Sequence, residues 1–148
     1  MSFCVLDHLS ILLSGLEGDE RRMIDQTMTK LRSLVERTGI HLFLVSHLRR
    51  TQQDKNHEEG ARVTLGQLRG SAAISQLSDT VLALERNQQG DQDGGVTTLR
   101  VLKNRYSGET GIASTLTYDL SNCRFSEDET TEPSFLRGAS RTAETTDF

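Results

Sequence analysis

The chain has 148 residues, of which 34% are hydrophobic and 26% are charged, so it can form one modest core and a single domain is expected. No apolar run approaches the roughly 18 residues that a membrane-spanning helix needs, and no secretory signal precedes the first strand. We therefore expect a cytoplasmic protein with no membrane partner. The net charge of -4 argues against nonspecific coating of nucleic acid. Two cysteines, Cys4 and Cys123, indicate neither a disulfide framework nor a metal site.

The negative charge lies in the C-terminal tail. Residues 127–148 contain six acids and two arginines, a net charge of -4, so residues 1–126 carry no net charge. The segment from Ser126 onward is rich in Ser, Thr and Glu, contains the only proline and has no hydrophobic period. The sequence therefore predicts a folded part over residues 1–125 and a disordered acidic tail over residues 126–148.

The first third of the chain predicts a strand, a helix and a second strand. Phe3–Leu6 is an apolar run without alternation, typical of a strand buried on both faces. Between Gly18 and Gly39, apolar residues at steps of 4, 3 and 4 predict an amphipathic helix: Ile24, Met28, Leu31 and Val35. Residues 41–45 form a second apolar run, so the order predicts a right-handed parallel crossover.

A loop and a weaker helix are predicted next. Residues 49–63 are polar and have no period, which is typical of a loop. Thr64 and Gln67 fit a capping box, which predicts a helix that extends to about Leu77.

The last third of the chain predicts strands joined by tight turns. Residues 80–84 indicate a third buried strand, and glycine-rich turns at residues 93–95 and 107–111 are typical of hairpins. Those turns flank two further strands, at residues 96–103 and 112–118. The whole pattern predicts an α/β sheet that begins with parallel strands and crossover helices and ends in antiparallel hairpin strands.

Polar residues that follow the predicted strands form the candidate site, because ligands of open α/β sheets bind beyond the carboxyl ends of the strands. Asp7 follows the first strand, where a carboxylate can hold Mg²⁺ beside a nucleotide phosphate or can simply cap the next turn. His47 follows the second strand and is either a γ-phosphate contact or an ordinary loop histidine. Cations follow the later strands, which fits a bound anion or a solvated surface: Arg86, Lys103 and Arg105.

The sequence contains no G-x-x-x-x-G-K-[ST] motif, so the cradle that grips the β- and γ-phosphates is absent from it. Asp7 and His47 cannot hydrolyse ATP without that cradle. The basic loop that starts at Arg49 has no aromatic residue, which suits contact with a phosphate backbone and suits a solvated loop equally well.

Several segments together resemble one family. They are Val5-Leu-Asp-His-Leu-Ser-Ile11, Ser46-His-Leu48, His57-Glu-Glu-Gly60, Leu68-Arg-Gly-Ser71, Gln76-Leu-Ser-Asp-Thr80, Ala83-Leu-Glu-Arg-Asn-Gln-Gln-Gly90 and Leu102-Lys-Asn-Arg105. With the acidic tail that ends in Phe148, they resemble the C-terminal part of the primase-helicase of the short-tailed T-odd coliphages. That protein belongs to the hexameric DnaB-like ring helicases with a RecA-type core.

The resemblance implies that residues 1–125 are the distal half of a RecA-like core, from the Walker B strand onward, without the P-loop and the catalytic glutamate. It implies an ATP-dependent 5'-3' translocase on single-stranded DNA at a phage replication fork, in the cytoplasm of the infected bacterial host. Mg²⁺, ATP or dTTP and identical subunits in a hexameric ring are the implied cofactor, substrates and partners. A noncatalytic DNA- or polymerase-binding module is the alternative. A RecA-like recombinase is disfavoured by Leu68-Arg-Gly-Ser71 and the aromatic C-terminus.

The resemblance also assigns nucleotide contacts residue by residue. Asp7 matches the Walker B aspartate that positions Mg²⁺, and His47 matches the histidine that contacts the γ-phosphate and couples its loss to DNA. Gln76 matches a residue of nucleotide signalling. Arg86 and Arg105, with Lys103 beside the latter, match residues that reach the nucleotide of the neighbouring subunit. Of these, Arg105 corresponds to the arginine finger.

DNA and protein contacts are implied in the same way. Arg49, Arg50 and Lys55 lie in the loop that grips single-stranded DNA in the family, although their spacing differs from the usual lysine pattern. The next helix contributes Arg69, Gly70 and Ser71. Phe148 matches the terminal aromatic residue of an acidic tail that binds the phage DNA polymerase.

Overall fold

The computed structural model describes residues 2–15, 18–49, 56–68, 72–89, 96–127 and Pro133. Its contacts divide the chain into two compact units. Unit 1 comprises Met1–Arg49 and Thr64–Ser78, and unit 2 comprises Arg50–Val63 and Asp79–Phe148. Within the described ranges, no helix combines the length and the apolar character that crossing a membrane requires.

Unit 1 is built from a parallel strand pair and helices. Its elements are β1 (Phe3–Leu6), α1 (Leu9–Leu13), α2 (Glu20–Thr38), β2 (His41–Leu44), a 3-10 turn at Leu65–Gln67 and α3 (Ala72–Leu77). β1 and β2 pair in parallel, with Phe3 opposite His41 and Leu6 opposite Leu44. The predicted parallel pairing is therefore confirmed.

Helix α2 begins and ends where its sequence predicts. The Asp19 carboxylate accepts a hydrogen bond from the Arg21 N–H at 2.9 Å, which satisfies one of the free donors of the first turn. At the other end, Gly39 has a φ of 66° and donates its N–H to the Val35 carbonyl, a left-handed cap that glycine adopts at little cost.

The core of unit 1 is aliphatic. Five buried side chains form it, namely Leu9, Leu13, Ile24, Met28 and Ile74, and Leu44 of β2 packs against them. Because successive side chains of a strand point to opposite faces, Phe43 points away from this core. Phe43 is 59% exposed and Phe3 is 71% exposed, and their rings contact edge to face at 6.5 Å. The prediction that both faces of these strands are buried is therefore wrong for the described residues.

Unit 2 contains a four-stranded antiparallel sheet in the order β3-β4-β5-β6. The strands are β3 (Thr80–Arg86), β4 (Val96–Asn104), β5 (Gly111–Asp119) and β6 (Arg124–Glu127). The antiparallel pairings confirm the two predicted hairpins, although the turn at residues 93–95 lies outside the described residues.

One face of β3 is buried and the other is open. Val81 and Ala83 are buried, whereas Leu82 and Leu84 are exposed. The prediction of a strand buried on both sides is therefore wrong here too. Among the described residues, the parallel and antiparallel strands form two sheets rather than the single sheet that the sequence suggested.

Several predicted boundaries differ from the structure. β2 ends at Leu44 rather than at residue 45, and β3 extends to Arg86 rather than to residue 84. The Gln67 side chain accepts the Thr64 N–H at 2.8 Å, as a capping box requires, but the backbone leaves the helical region at Leu68, so the predicted helix to Leu77 is replaced by the 3-10 turn and α3. Ser126 belongs to β6 rather than to the tail. Apart from that strand and Pro133, the predicted tail lies outside the described residues. Helix α1 was not predicted.

Candidate functional site

The parallel register of unit 1 brings two predicted site residues to one edge of the sheet. β1 and β2 end opposite each other at Leu6 and Leu44. Beyond them, the Val45 N–H donates to the Leu6 carbonyl and the Leu9 N–H donates to the Val45 carbonyl, both at 3.0 Å. These two bonds tie the segments that carry Asp7 and His47 together at the carboxyl edge.

His8 contacts the predicted phosphate-contact residue. Its ring lies 4.2 Å from that of His47, centroid to centroid, at an interplanar angle of 68°. The Nδ1 atom of His8 is buried and has no hydrogen-bond partner among the described residues, while the side chains of Asp7 and His47 are exposed to solvent. Sequence reasoning missed His8. Its position directly after Asp7 was the one available signal.

Asp7 suits a magnesium ion that is held mainly by other groups. Among the described residues, no cluster of three or more His, Cys, Asp or Glu side chains is arranged to hold a metal. Mg²⁺ keeps several waters and is usually bound through one or two carboxylates plus substrate phosphates. One exposed carboxylate at a strand end fits that kind of coordination.

An open cavity of about 350 Å³ lies in unit 1 beside Arg49. Arg21, Arg49, Leu65, Gly66, Leu68, Ala72 and Ser75 line it. The Arg49 N–H donates to the Gln67 carbonyl at 2.8 Å, and Leu48 forms an isolated bridge with Leu68, so the segment that carries Arg49 is fixed against the 3-10 turn. The described part of the lining contains two guanidinium groups and no carboxylate, which suits an anion.

Arg21 is a second residue that sequence reasoning missed. It lies in the first turn of α2, where the pattern of the sequence signals only a helix start. Arg22 is also exposed on that turn but does not line the cavity. The structure therefore shows that only Arg21 of these two neighbouring arginines lines the cavity, a difference that the sequence does not reveal.

The other predicted residues of unit 1 are placed only in part. Gln76 is exposed on α3. The remaining predicted DNA and polymerase contacts lie outside the described residues: Arg50, Lys55, Arg69, Gly70, Ser71 and Phe148.

The cations of unit 2 do not come together. Arg86 ends β3 opposite Thr97, whereas Lys103 lies opposite Val81, near the start of β3. Because β3 and β4 are antiparallel, their carboxyl ends lie at opposite ends of the hairpin, about 20 Å apart at roughly 3.3 Å per residue. The expectation that these cations collect around one anion is therefore wrong within a single chain.

Arg105 is held at the start of β3. Its N–H donates to the Asp79 carbonyl oxygen at 2.9 Å, and its Nη1 lies 3.4 Å from Asp79 Oδ1. The Arg105 side chain is exposed, so the ion pair is weak and the guanidinium can exchange partners.

Comparison with known proteins agrees with this architecture. Residues 1–127 match the model of the DnaB-like helicase C terminal domain. The chain therefore belongs to the DnaB-like helicase C-terminal domain family.

A particular relative is a DNA helicase/primase of Enterobacteria phage T3, to which the chain is 51% identical over 116 residues. The match covers 78% of this chain and 20% of the relative, so the chain spans about a fifth of that protein's length.

Two solved structures share the fold at 20% identity. One is a DnaB-like replicative helicase, described with its interactions with primase; it has a TM-score of 0.65 and the match covers 80% of this chain and 29% of that chain. The other is a separately solved ATPase domain, with a TM-score of 0.68 and coverage of 86% of this chain and 44% of that chain.

Proposed function

We propose that the chain is the Walker B to C-terminus portion of an ATP-dependent replicative DNA helicase, which moves 5'-3' along single-stranded DNA as a hexameric ring. The observation that carries this proposal is the parallel register that sets Asp7 and His47 at one carboxyl edge in a chain of the DnaB-like family. Ligands of open α/β sheets bind at that edge.

The resemblance to the family supplies the role proposed for each residue, and its charge is compatible with that role. Asp7 holds Mg²⁺, which neutralises charge on the phosphates of ATP or dTTP. His47 donates a hydrogen bond to the γ-phosphate and, with Gln76, reports its loss to the DNA contacts. Arg86, Lys103 and Arg105 act on the nucleotide of a neighbouring subunit.

Arg105 is the arginine finger in this proposal. Its guanidinium leaves the exposed pair with Asp79 and stabilises the charge that develops on the transferring phosphoryl group, an effect of about 10³-fold or more. Since the sequence contains no P-loop, we expect no ATP hydrolysis by this chain alone and activity only when a P-loop segment is supplied. Magnesium-dependent hydrolysis by the pure chain, lost in Asp7→Asn, would contradict the requirement for that segment.

Mixed rings test the action between subunits. In a complemented ring, Arg105→Ala removes hydrolysis and retains nucleotide binding, and His47→Ala uncouples hydrolysis from DNA. Mixtures of Arg105→Ala and Asp7→Asn subunits should recover activity, because some interfaces then contain both wild-type residues. If hexamers are confirmed and no activity is recovered at any mixing ratio, Arg105 acts in cis.

Failure of a P-loop segment to restore hydrolysis would favour the noncatalytic DNA- or polymerase-binding module.

The basic cavity supports the single-stranded DNA part of the proposal. Arg21 and Arg49 line it together, and none of its described lining residues is a carboxylate, so a phosphodiester group is the ligand that its charge favours. Each phosphate neutralised on a single strand contributes about 0.7 to the slope of log affinity against log salt. Arg21→Gln should lower that slope by about this amount, measured by fluorescence anisotropy with an oligothymidine.

Arg22→Gln is the matched control, because Arg22 is the next residue of the same helix turn and does not line the cavity. It should retain the wild-type slope. Equal slopes for Arg21→Gln and the wild type would remove the cavity from the DNA path. No binding of the oligothymidine by the wild-type chain would contradict the DNA function itself.

The acidic tail is proposed to bind the phage DNA polymerase. Residues 127–148 carry a net charge of -4 and end in Phe148. A terminal aromatic side chain can anchor in an apolar pocket while the acids steer it to a basic surface. A labelled peptide of residues 127–148 should bind the polymerase more weakly as salt rises, and also more weakly when Phe148 is replaced by Ala. Equal affinity of the two peptides would contradict the aromatic anchor, and no binding by either would leave a solubilising tail.

A further inference from the structure

Residues 56–63 of unit 2, which we call the strap, attach to the chain just after Arg86. The Gln88 N–H donates to the Glu58 carbonyl at 2.8 Å, and Glu59 forms an isolated antiparallel bridge with Asn87. The strap therefore pairs with the two residues that follow Arg86.

Gly60 is required for this close approach. It has a φ of +76°, and a Cβ built on it would lie 3.1 Å from the Asn87 Cβ. An alanine there would be strained in its backbone and crowded against Asn87. Gly108 has nearly the same φ, +75°, but no described atom lies within 4 Å of such a Cβ. Comparison of the two glycines therefore separates crowding from the left-handed conformation.

The strap is also attached just before Arg86, through a buried carboxylate. Glu85 Oε1 accepts the Val63 N–H at 2.8 Å, and Arg100 donates two hydrogen bonds to the same carboxylate at 2.8 and 2.9 Å. The side chains of Glu85 and Arg100 are only 7% and 14% exposed. Bidentate, charge-assisted bonds in such a setting hold one geometry, and loss of the charge leaves buried groups unpaired.

We propose that Glu85 is a positioning residue that, through the strap, couples the single-stranded DNA contacts to Arg86. The strap bonds to the backbone just after Arg86 and to the Glu85 side chain just before it. The alternation of the strand puts the Arg86 side chain on the face opposite Glu85. In the chain, the strap directly follows Arg50 and Lys55, which the resemblance to the family assigns to DNA contact. We therefore expect a displacement of those residues on DNA binding to be transmitted to Arg86 through the hydrogen bond between Val63 and Glu85. This inference rests on the proposed function.

The test uses the 148-residue chain labelled with ¹⁵N and an oligothymidine. In the wild type, addition of the oligothymidine should shift the Arg86 amide and Nε–Hε resonances. Glu85→Gln and Gly60→Ala should abolish that shift. Glu36→Gln, which breaks the exposed Arg32–Glu36 pair of 2.8 Å, and Gly108→Ala should retain it.

A destabilising control separates positioning from general stability. Val81→Ala opens a cavity at the far end of β3, where Val81 is buried, and should lower Tm but retain the Arg86 shift. A wild-type shift in Glu85→Gln, or losses that follow Tm across all variants including Val81→Ala, would overturn the positioning role alone. If the wild type does not bind the oligothymidine, the proposed function is overturned and this inference with it.

Discussion

Unit 1 and unit 2 are stabilised in different ways. In unit 1, strands from distant parts of the sequence pair in parallel, Phe3 opposite His41, and an aliphatic core supports them on one face. In unit 2, strands that follow one another pair antiparallel, and a buried carboxylate ties them to the strap. Non-local parallel pairing needs a loop to close before any contact is gained, and a two-stranded sheet is marginal by itself.

The two sets of candidate site residues depend on these different kinds of stabilisation. The edge that carries Asp7 and His47 exists only while β1 and β2 stay in register, so it depends on the aliphatic core beneath them. The positions of Arg86 and Arg105 depend on local hydrogen bonds, to the strap and to Asp79 respectively. We therefore expect core substitutions to affect the first set of residues and polar substitutions to affect the second.

The largest expected effect is on the core of unit 1. Ile24→Ala removes a side chain that is 3% exposed and should destabilise the chain by about 2–5 kcal/mol, through lost burial and a residual cavity. Urea denaturation measures this. Leu34→Ala on the same helix is the control: Leu34 is exposed, so its effect should stay within about 0.5 kcal/mol. Equal effects of the two variants would break the contrast between a packed and a solvated face of α2.

A smaller effect is expected at the start of α2. Asp19→Ala removes the acceptor of the Arg21 N–H and should destabilise unit 1 by about 1 kcal/mol. Asp19→Asn retains an oxygen at that position and should stay close to the wild type. The two variants test how much a local polar contact contributes to unit 1, which we expect to depend mainly on its aliphatic core. Helix content by circular dichroism and the free energy of unfolding are the measurements. Equal stability of Asp19→Ala and the wild type would contradict a role for the cap.

The sequence predicts those elements whose signals are local. The apolar run at Phe3–Leu6 lies between Ser2 and Asp7, and β1 has the predicted bounds. Gly39 adopts the left-handed conformation that ends α2 as predicted, and β2 is one residue shorter than the predicted run. The turn at residues 107–111 is equally local and joins β4 to β5 as expected.

Features that depend on partners far along the chain were not predictable. Whether Phe43 is buried depends on what packs against its face of β2. The sequence of β2 itself does not contain that information. Arg86 and Lys103 both follow apolar runs, but only the antiparallel pairing puts them at opposite ends of a hairpin. Arg21 and Arg22 are adjacent in the sequence, but only Arg21 lines the cavity together with Leu65 and Ser75. The roles that the resemblance assigns to the site residues stay predictions.

The open face of unit 1 should affect association more than stability. Phe43→Ser changes a side chain that is 59% exposed, so its effect on the free energy of unfolding should be within about 0.5 kcal/mol. Exposed aromatic clusters promote self-association, so light scattering should show less association in the variant as concentration rises. Leu120→Ser in unit 2 changes a side chain that is 84% exposed and should leave association unchanged. Reduced association in both variants would break the contrast between the two units.

The smallest expected effect is local to unit 2 and depends on pH. Hydrogen bonds from the Ser121 hydroxyl and N–H, and from the Asn122 amide, lower the pKa of Asp119 below its ordinary value. A depressed carboxyl pKa gives stability that is present above the ordinary pKa and is lost as pH falls through the folded value. The Ser121 amide resonance should therefore titrate at a pH below that of an unperturbed aspartate. Asp119→Asn should remove the titration while it retains an acceptor for Ser121. Titration of the Ser121 amide at the ordinary aspartate pKa would show that the turn between β5 and β6 does not stabilise the charged carboxylate. Local polar contacts would then contribute less to unit 2 than the contrast with unit 1 predicts.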